Sequence, residues 1–121
     1  MARIDFIELP ATDIAASQRF YTTAFGFDMT AFGPTYACTM TGDVDLGLQA
    51  DAAEATAAPL PVIHVDDLDA ALAAVTQAGG VVTKPVFGFP GGRRFHFRDP
   101  GGNELAAMQA DSGLGASGGQ A

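Results

Sequence analysis

Residues 95–109 read Phe95-His96-Phe97-Arg98-Asp99-Pro100-Gly101-Gly102-Asn103-Glu104-Leu105-Ala106-Ala107-Met108-Gln109. The two ends favour extended chain and the middle is turn chemistry, so the stretch is strand, tight turn, strand. On the strand 93–98, Phe95 and Phe97 are the large apolar residues and should pack between the sheet and a helix. That alternation turns Arg94, His96 and Arg98 to the other face.

Reading back from this hairpin gives the second half of the chain. Residues 61–65 (PVIHV) form a strand, and 66–80 (DDLDAALAAVTQAGG) an amphipathic helix with an Asp-rich first turn and a Gly stop. Residues 81–87 (VVTKPVF) are a further strand, so this half reads β-α-β-β-β. The first half repeats the order. A strand over 3–10 (RIDFIELP) precedes a helix over 13–25, with Phe20 and Phe25 on its expected inner stripe and Gly26 closing it. Three short strands follow, in 27–32, 35–40 and 44–50, separated by Gly33-Pro34 and Thr41-Gly42-Asp43.

Asp13 and Asp67 take equivalent places at the two helix starts, 67 − 13 = 54 residues apart. Internal duplication explains that spacing. The expected organisation is a single domain over 1–110, with module one at 1–52, a linker at 53–59 and module two at 60–110. Residues 111–121, rich in Gly, Ser and Ala, read as a flexible tail.

Composition narrows the partners. The chain has 121 residues, enough for a core without metal or disulfide staples. Six Lys and Arg against fourteen Asp and Glu give a net charge of −8, which repels nucleic acid and anionic membrane. With one Cys, no long apolar run and no signal-like start, the expectation is a cytoplasmic protein. Cys38, in a strand with no His nearby, reads as a small core residue.

Several motifs occur in order: Phe20-Tyr21 in the first helix, Phe25-Gly26-Phe27 after it, Ala78-Gly79-Gly80 after the second, and Phe97-Arg98-Asp99-Pro100-Gly101-Gly102-Asn103. Together with the two βαβββ modules and an Asp at each helix start, they resemble the vicinal oxygen chelate superfamily. This group contains glyoxalase I, the fosfomycin- and bleomycin-resistance proteins and the extradiol dioxygenases. The first strand, with Phe6-Ile7-Glu8-Leu9-Pro10, is similar to that of the small glyoxalase-like proteins. The resemblance covers about residues 3 to 109 and implies an α+β fold whose strands curl around a ligand cavity. It also implies a homodimer.

Family metal sites use a His or Glu seven residues before the helix Asp and a Glu seven residues after the turn Asp. Here those positions hold Phe6, Leu60 and Ala106, none with a lone pair for a divalent ion. The expectation is therefore no cofactor and no metal at the inherited place. A displaced set of Glu8, His64 and Glu104, with His96 added, shares the corresponding strand faces. The plainer reading leaves both acids solvated at a rim and His64 as a hydrogen-bonded strand-end residue.

In fosfomycin-resistance members the residues three and five before the turn Asp contact substrate, which here are His96 and Arg94. Such a pair favours an anionic ligand, and His96 can exchange protons near neutral pH. Arg93 reads as solvent-facing. Phe6, Glu8, Leu60, Val62 and His64 should form the opposite wall and Ala106 and Met108 the floor, a mostly apolar lining with polar handles. Residues 88–92 (GFPGG) are either a lid carrying Phe89 or a plain hairpin connection.

Three functions follow. The leading one is a metal-independent binder of a small organic molecule, with anions the class that Arg94 and His96 favour. The second is a glyoxalase-type lyase or isomerase, or a dioxygenase-like enzyme, using a displaced metal or His96 with Glu8 as an acid-base pair. The third is an interaction protein with a closed core and no ligand.

Overall fold

The computed structural model describes residues 2–111. The expected flexible tail lies, apart from Asp111, outside the described residues. The described chain is α+β and contains two successive βαβββ series. The first comprises β1 (Arg3–Pro10), α1 (Ile14–Phe25), β2 (Met29–Ala31), β3 (Tyr36–Thr39) and β4 (Asp45–Gln49). The second comprises β5 (Leu60–His64), α2 (Leu68–Gln77), β6 (Val81–Phe89), β7 (Gly92–Arg98) and β8 (Glu104–Ala110).

Two compact units emerge, one of Phe6–Leu60 and one of the residues up to Asp5 with those from Pro61 onward. In the first unit β2 pairs antiparallel with β3, β3 antiparallel with β4, and β4 parallel with β1 from Phe6 to Pro10. In the second, β5 runs parallel to β8, and β8, β7 and β6 form an antiparallel meander.

The helix starts repeat closely. Asp13 (φ −135°, ψ 94°) accepts from the Ala16 N–H, and Asp67 (φ −139°, ψ 100°) from the Ala70 N–H, so each satisfies an orphan donor of its first turn. The spacing of 54 thus joins two equivalent caps. Gly26 ends α1 in the left-handed region at φ 71°, as its place after the last apolar residue predicts.

The helices differ in what they bury. Leu68 of α2 is fully buried and forms a core with Phe95, Phe97 and Ala107, against which Ile63, Leu72, Val75 and Leu105 pack. Phe95 and Phe97 therefore take the expected helix side of the sheet. Helix α1 buries no residue fully. Phe20 is 57% and Phe25 65% exposed, so the expected inner stripe is corrected: these rings join Tyr21 and Phe27 in an aromatic cluster, centroids 5.1 to 6.5 Å apart. Periodicity could not separate an inward stripe from an outward one, because the rings satisfy each other. A cavity of about 690 Å³ lies beside this cluster, lined by Ile7, Tyr21, Phe27, Thr30, Met40 and Leu46 among others.

Cys38 is buried, and burial, reinforced by the Asp45 charge, pushes its thiol up to about 11. It is a core residue, as expected. Residues 88–92 form a hairpin end: Gly88 and Phe89 continue β6, Pro90 and Gly91 make the turn with Gly91 at φ 106°, and Gly92 starts β7. The segment is thus a hairpin connection between β6 and β7.

Candidate functional site

The turn after β7 sets the site's register. Asp99 Oδ1 accepts from the Asn103 backbone N–H at 2.9 Å, and the Asp99 N–H donates to the Asn103 carbonyl at 2.9 Å. The Asn103 backbone N–H holds the Asp99 carboxyl below its ordinary range, with the Asn103 side chain adding to the effect. Gly102 sits at φ 88°, a conformation other residues rarely adopt. This closure places Arg98 opposite Glu104, His96 opposite Ala106 and Arg94 opposite Met108.

Pairing with β5 adds Val62 beside Ala106 and His64 beside Met108, and pairing with β6 adds Lys84 beside His96 and Phe87 beside Arg94. Since side chains alternate, Val62, His64, Arg94, His96, Ala106 and Met108 share the face turned away from α2. All but His64 are buried, and His64 Nδ1 lies 3.0 Å from Asp5 Oδ2. That hydrogen bond fits the plainer reading of His64. Arg93 is partly exposed and stands 3.8 Å from Asp69, as a solvent-facing residue should.

His96 is the best-defined polar group of this face. Only 1% of it is exposed, and its Nδ1 lies 3.2 Å from Glu104 Oε2, which also accepts from the Thr83 hydroxyl at 3.1 Å. Burial lowers the imidazole below its ordinary 6.5, the Arg94 and Lys84 charges act in the same sense, and Glu104 opposes them. Phe87 packs at 5.8 Å from the ring, with the Lys84 ammonium 4.5 Å and the Arg94 guanidinium 5.4 Å from the Phe87 centroid. Arg94 also stands 5.8 Å from the Phe89 ring. Two cations among aromatic rings, next to an imidazole, suit an anion that carries apolar bulk.

From sequence, Thr83, Lys84 and Phe87 have no assigned role, and Glu104 is either a member of the displaced set or a solvated rim acid; its side chain is in fact partly buried and bonded to His96. The signal for Glu104 was present: a turn pairing 98 with 104 pairs 96 with 106, which makes Glu104 the diagonal neighbour of His96. For the β6 residues no such count was possible, because the register shifts on both sides of Lys84.

In the first unit, the expected solvated rim position of Glu8 is corrected. The residue is 1% exposed and accepts the Tyr36 hydroxyl at 3.0 Å. Tyr36 comes 28 residues later in the chain, and no local pattern announces that pairing. Phe6 lies beside it: a Cβ at Gly47 would come within 2.5 Å of both the Phe6 ring and the Tyr36 hydroxyl. Phe6 and Leu60 are buried.

The family's metal can be tested against these side chains. Phe6, Leu60 and Ala106 present only carbon, so the donor set does not fit a divalent ion at the inherited positions. Among the described residues no three His, Cys, Asp or Glu side chains gather as a metal site. Nor is any described helix long and apolar enough to cross a membrane.

Known proteins share this architecture. CFP32 of Mycobacterium tuberculosis, whose name assigns it provisionally as a glyoxylase, is 29% identical over 133 residues, covering 93% of this chain and 48% of its own length. The chain thus spans about half the length of the curated relatives it matches. A methylmalonyl-CoA epimerase from Streptomyces coelicolor, in complex with 2-nitronate-propionyl-CoA, superposes with a TM-score of 0.72 at 20% identity, over 91% of this chain and 95% of that one. The Mn(II)-bound glyoxalase from Novosphingobium aromaticivorans does so at 0.65 and 21%, over 90% of this chain and 40% of that one. At those identities the likeness is one of fold. The family model described as Glyoxalase/Bleomycin resistance protein/Dioxygenase superfamily matches residues 3–107, which take in the first βαβββ series, the second as far as the middle of β8, and the Asp99 turn, and the chain belongs to that superfamily.

Proposed function

We propose that this protein binds a small organic anion against the β5–β8–β7–β6 face of its second unit, without the superfamily's usual metal. The observation that carries the reading is the placement of Arg94 and His96 on one buried face, beside Phe87 and the apolar Val62, Ala106 and Met108. Guanidinium pairs with carboxylate or phosphate, and Ala106 leaves room where the family places an acid. The epimerase named above carries an acyl-CoA analogue, which is compatible with an anionic ligand class. Phe6, Glu8, Leu60 and His64 enter the proposal through the family resemblance. The protein is taken as cytoplasmic, in keeping with its single unbridged cysteine.

The test is calorimetric titration with carboxylates and with amines of matched size and shape. Carboxylates should bind saturably, amines should not, and Arg94→Gln should weaken carboxylate binding with the circular dichroism spectrum unchanged. Equal binding of both series would overturn the proposal.

A second reading is favoured by the buried, carboxylate-linked imidazole: a lyase or isomerase of the glyoxalase type in which His96 moves a proton, with Glu8 as the other acid-base candidate. Under it, His96→Ala abolishes turnover while the fold persists. A homodimer is also part of the proposal, and the exposed aromatic cluster of α1 supports it as a surface for a second copy.

A further inference from the structure

Glu104 oxygen atoms accept hydrogen bonds when ionised, so the proton between Glu104 Oε2 and the ring belongs to His96 Nδ1. A neutral imidazole with hydrogen on Nδ1 carries its lone pair on Nε2. That atom is buried and has no hydrogen-bond partner among the described residues. A buried acceptor left without a donor is costly, so a donor that reaches it is bound with that penalty relieved. The Thr83 hydroxyl donates to the same carboxylate oxygen, a second contact that holds Glu104 in place beside the ring.

We infer that Glu104 is a positioning residue which presents His96 Nε2 as an acceptor, and that the anion taken by this face carries a hydroxyl next to its carboxylate, a 2-hydroxycarboxylate. This rests on the anion reading above and adds to it the donor. The carboxylate is matched to Arg94 and the hydroxyl to Nε2, two groups two residues apart on one strand face. Phe87 and Phe89 beside Arg94 suit an aryl or alkyl substituent.

The chain has two histidines, which makes imidazole nitrogen NMR on the full-length protein readable. With ¹⁵N-histidine label and His64→Gln to identify His96, the free protein should show hydrogen on Nδ1 and a bare Nε2. Glu104→Gln should mix the tautomers while the amide spectrum stays folded. Two matched pairs serve as probes, lactate against propionate and mandelate against phenylacetate. Each hydroxy acid should bind at least about fivefold tighter than its partner, and only the hydroxy acids should shift Nε2.

Hydrogen found on Nε2 in the free protein overturns the inference. Equal binding within both pairs, with Nε2 unmoved, overturns it too and leaves the anion reading standing. Should none of the four acids bind while the broader carboxylate series does, the 2-hydroxycarboxylate class is overturned; should that series fail as well, the anion reading falls with it.

Discussion

Tyr36 donates its phenolic hydrogen to Glu8 at 3.0 Å, inside the first unit and out of reach of solvent. A carboxylate in that position needs donors, since leaving a buried charged group short of one costs more than the bond contributes when made. Tyr36→Phe should therefore destabilise the protein by about 1–3 kcal/mol in urea unfolding at neutral pH. An unchanged midpoint would show that the phenol is dispensable and that other groups carry Glu8.

The outward aromatic cluster of α1 predicts the opposite response. Phe20→Ser and Phe25→Ser remove rings that are mostly exposed, so each should move monomer stability by no more than about 0.5 kcal/mol. If a second copy covers these rings, sedimentation of the double variant should give a monomer where the parent is a dimer. A parent that is itself monomeric at working concentration contradicts the dimer proposal.

His96 ties stability to pH. Its folded-state pKa lies below the ordinary 6.5, through burial and the Arg94 and Lys84 charges, with Glu104 opposing. Above pH 6.5 the imidazole is neutral in both folded and unfolded chains and adds no pH dependence. As pH falls through 6.5 the unfolded chain takes up the proton first, so stability drops until the folded pKa is reached and then levels off. Comparing denaturation between pH 8 and 5, His96→Gln should remove this part of the slope. An identical slope in the variant would mean that the imidazole titrates alike in both states.

The β-α-β-β-β order of each half, both Asp caps and the Gly26 stop were legible because they depend on local chemistry. So was the inward turn of Phe95 and Phe97, since a tight turn fixes register and register fixes face. What escaped was long-range or degenerate. Nothing near Glu8 foretells Tyr36, and the irregular pairing of β6 hides Thr83 and Lys84. The α1 rings misled because an aromatic stripe looks the same whether a sheet or its own neighbours pack against it. His96 was found from sequence, and its carboxylate partner was within reach of the same argument, since a turn that pairs 98 with 104 sets Glu104 diagonal to His96.

The claim that this face binds its ligand without the family's metal is tested most directly by metal analysis of protein purified without a His tag, followed by thermal-shift titration with Zn²⁺, Ni²⁺, Mn²⁺ and Fe²⁺. With Phe6, Leu60 and Ala106 at the three ligand positions, the protein should hold metal well below one equivalent and show no saturable stabilisation by any of the four ions. One equivalent of bound metal, or a saturable shift that Glu8→Gln removes, would contradict it.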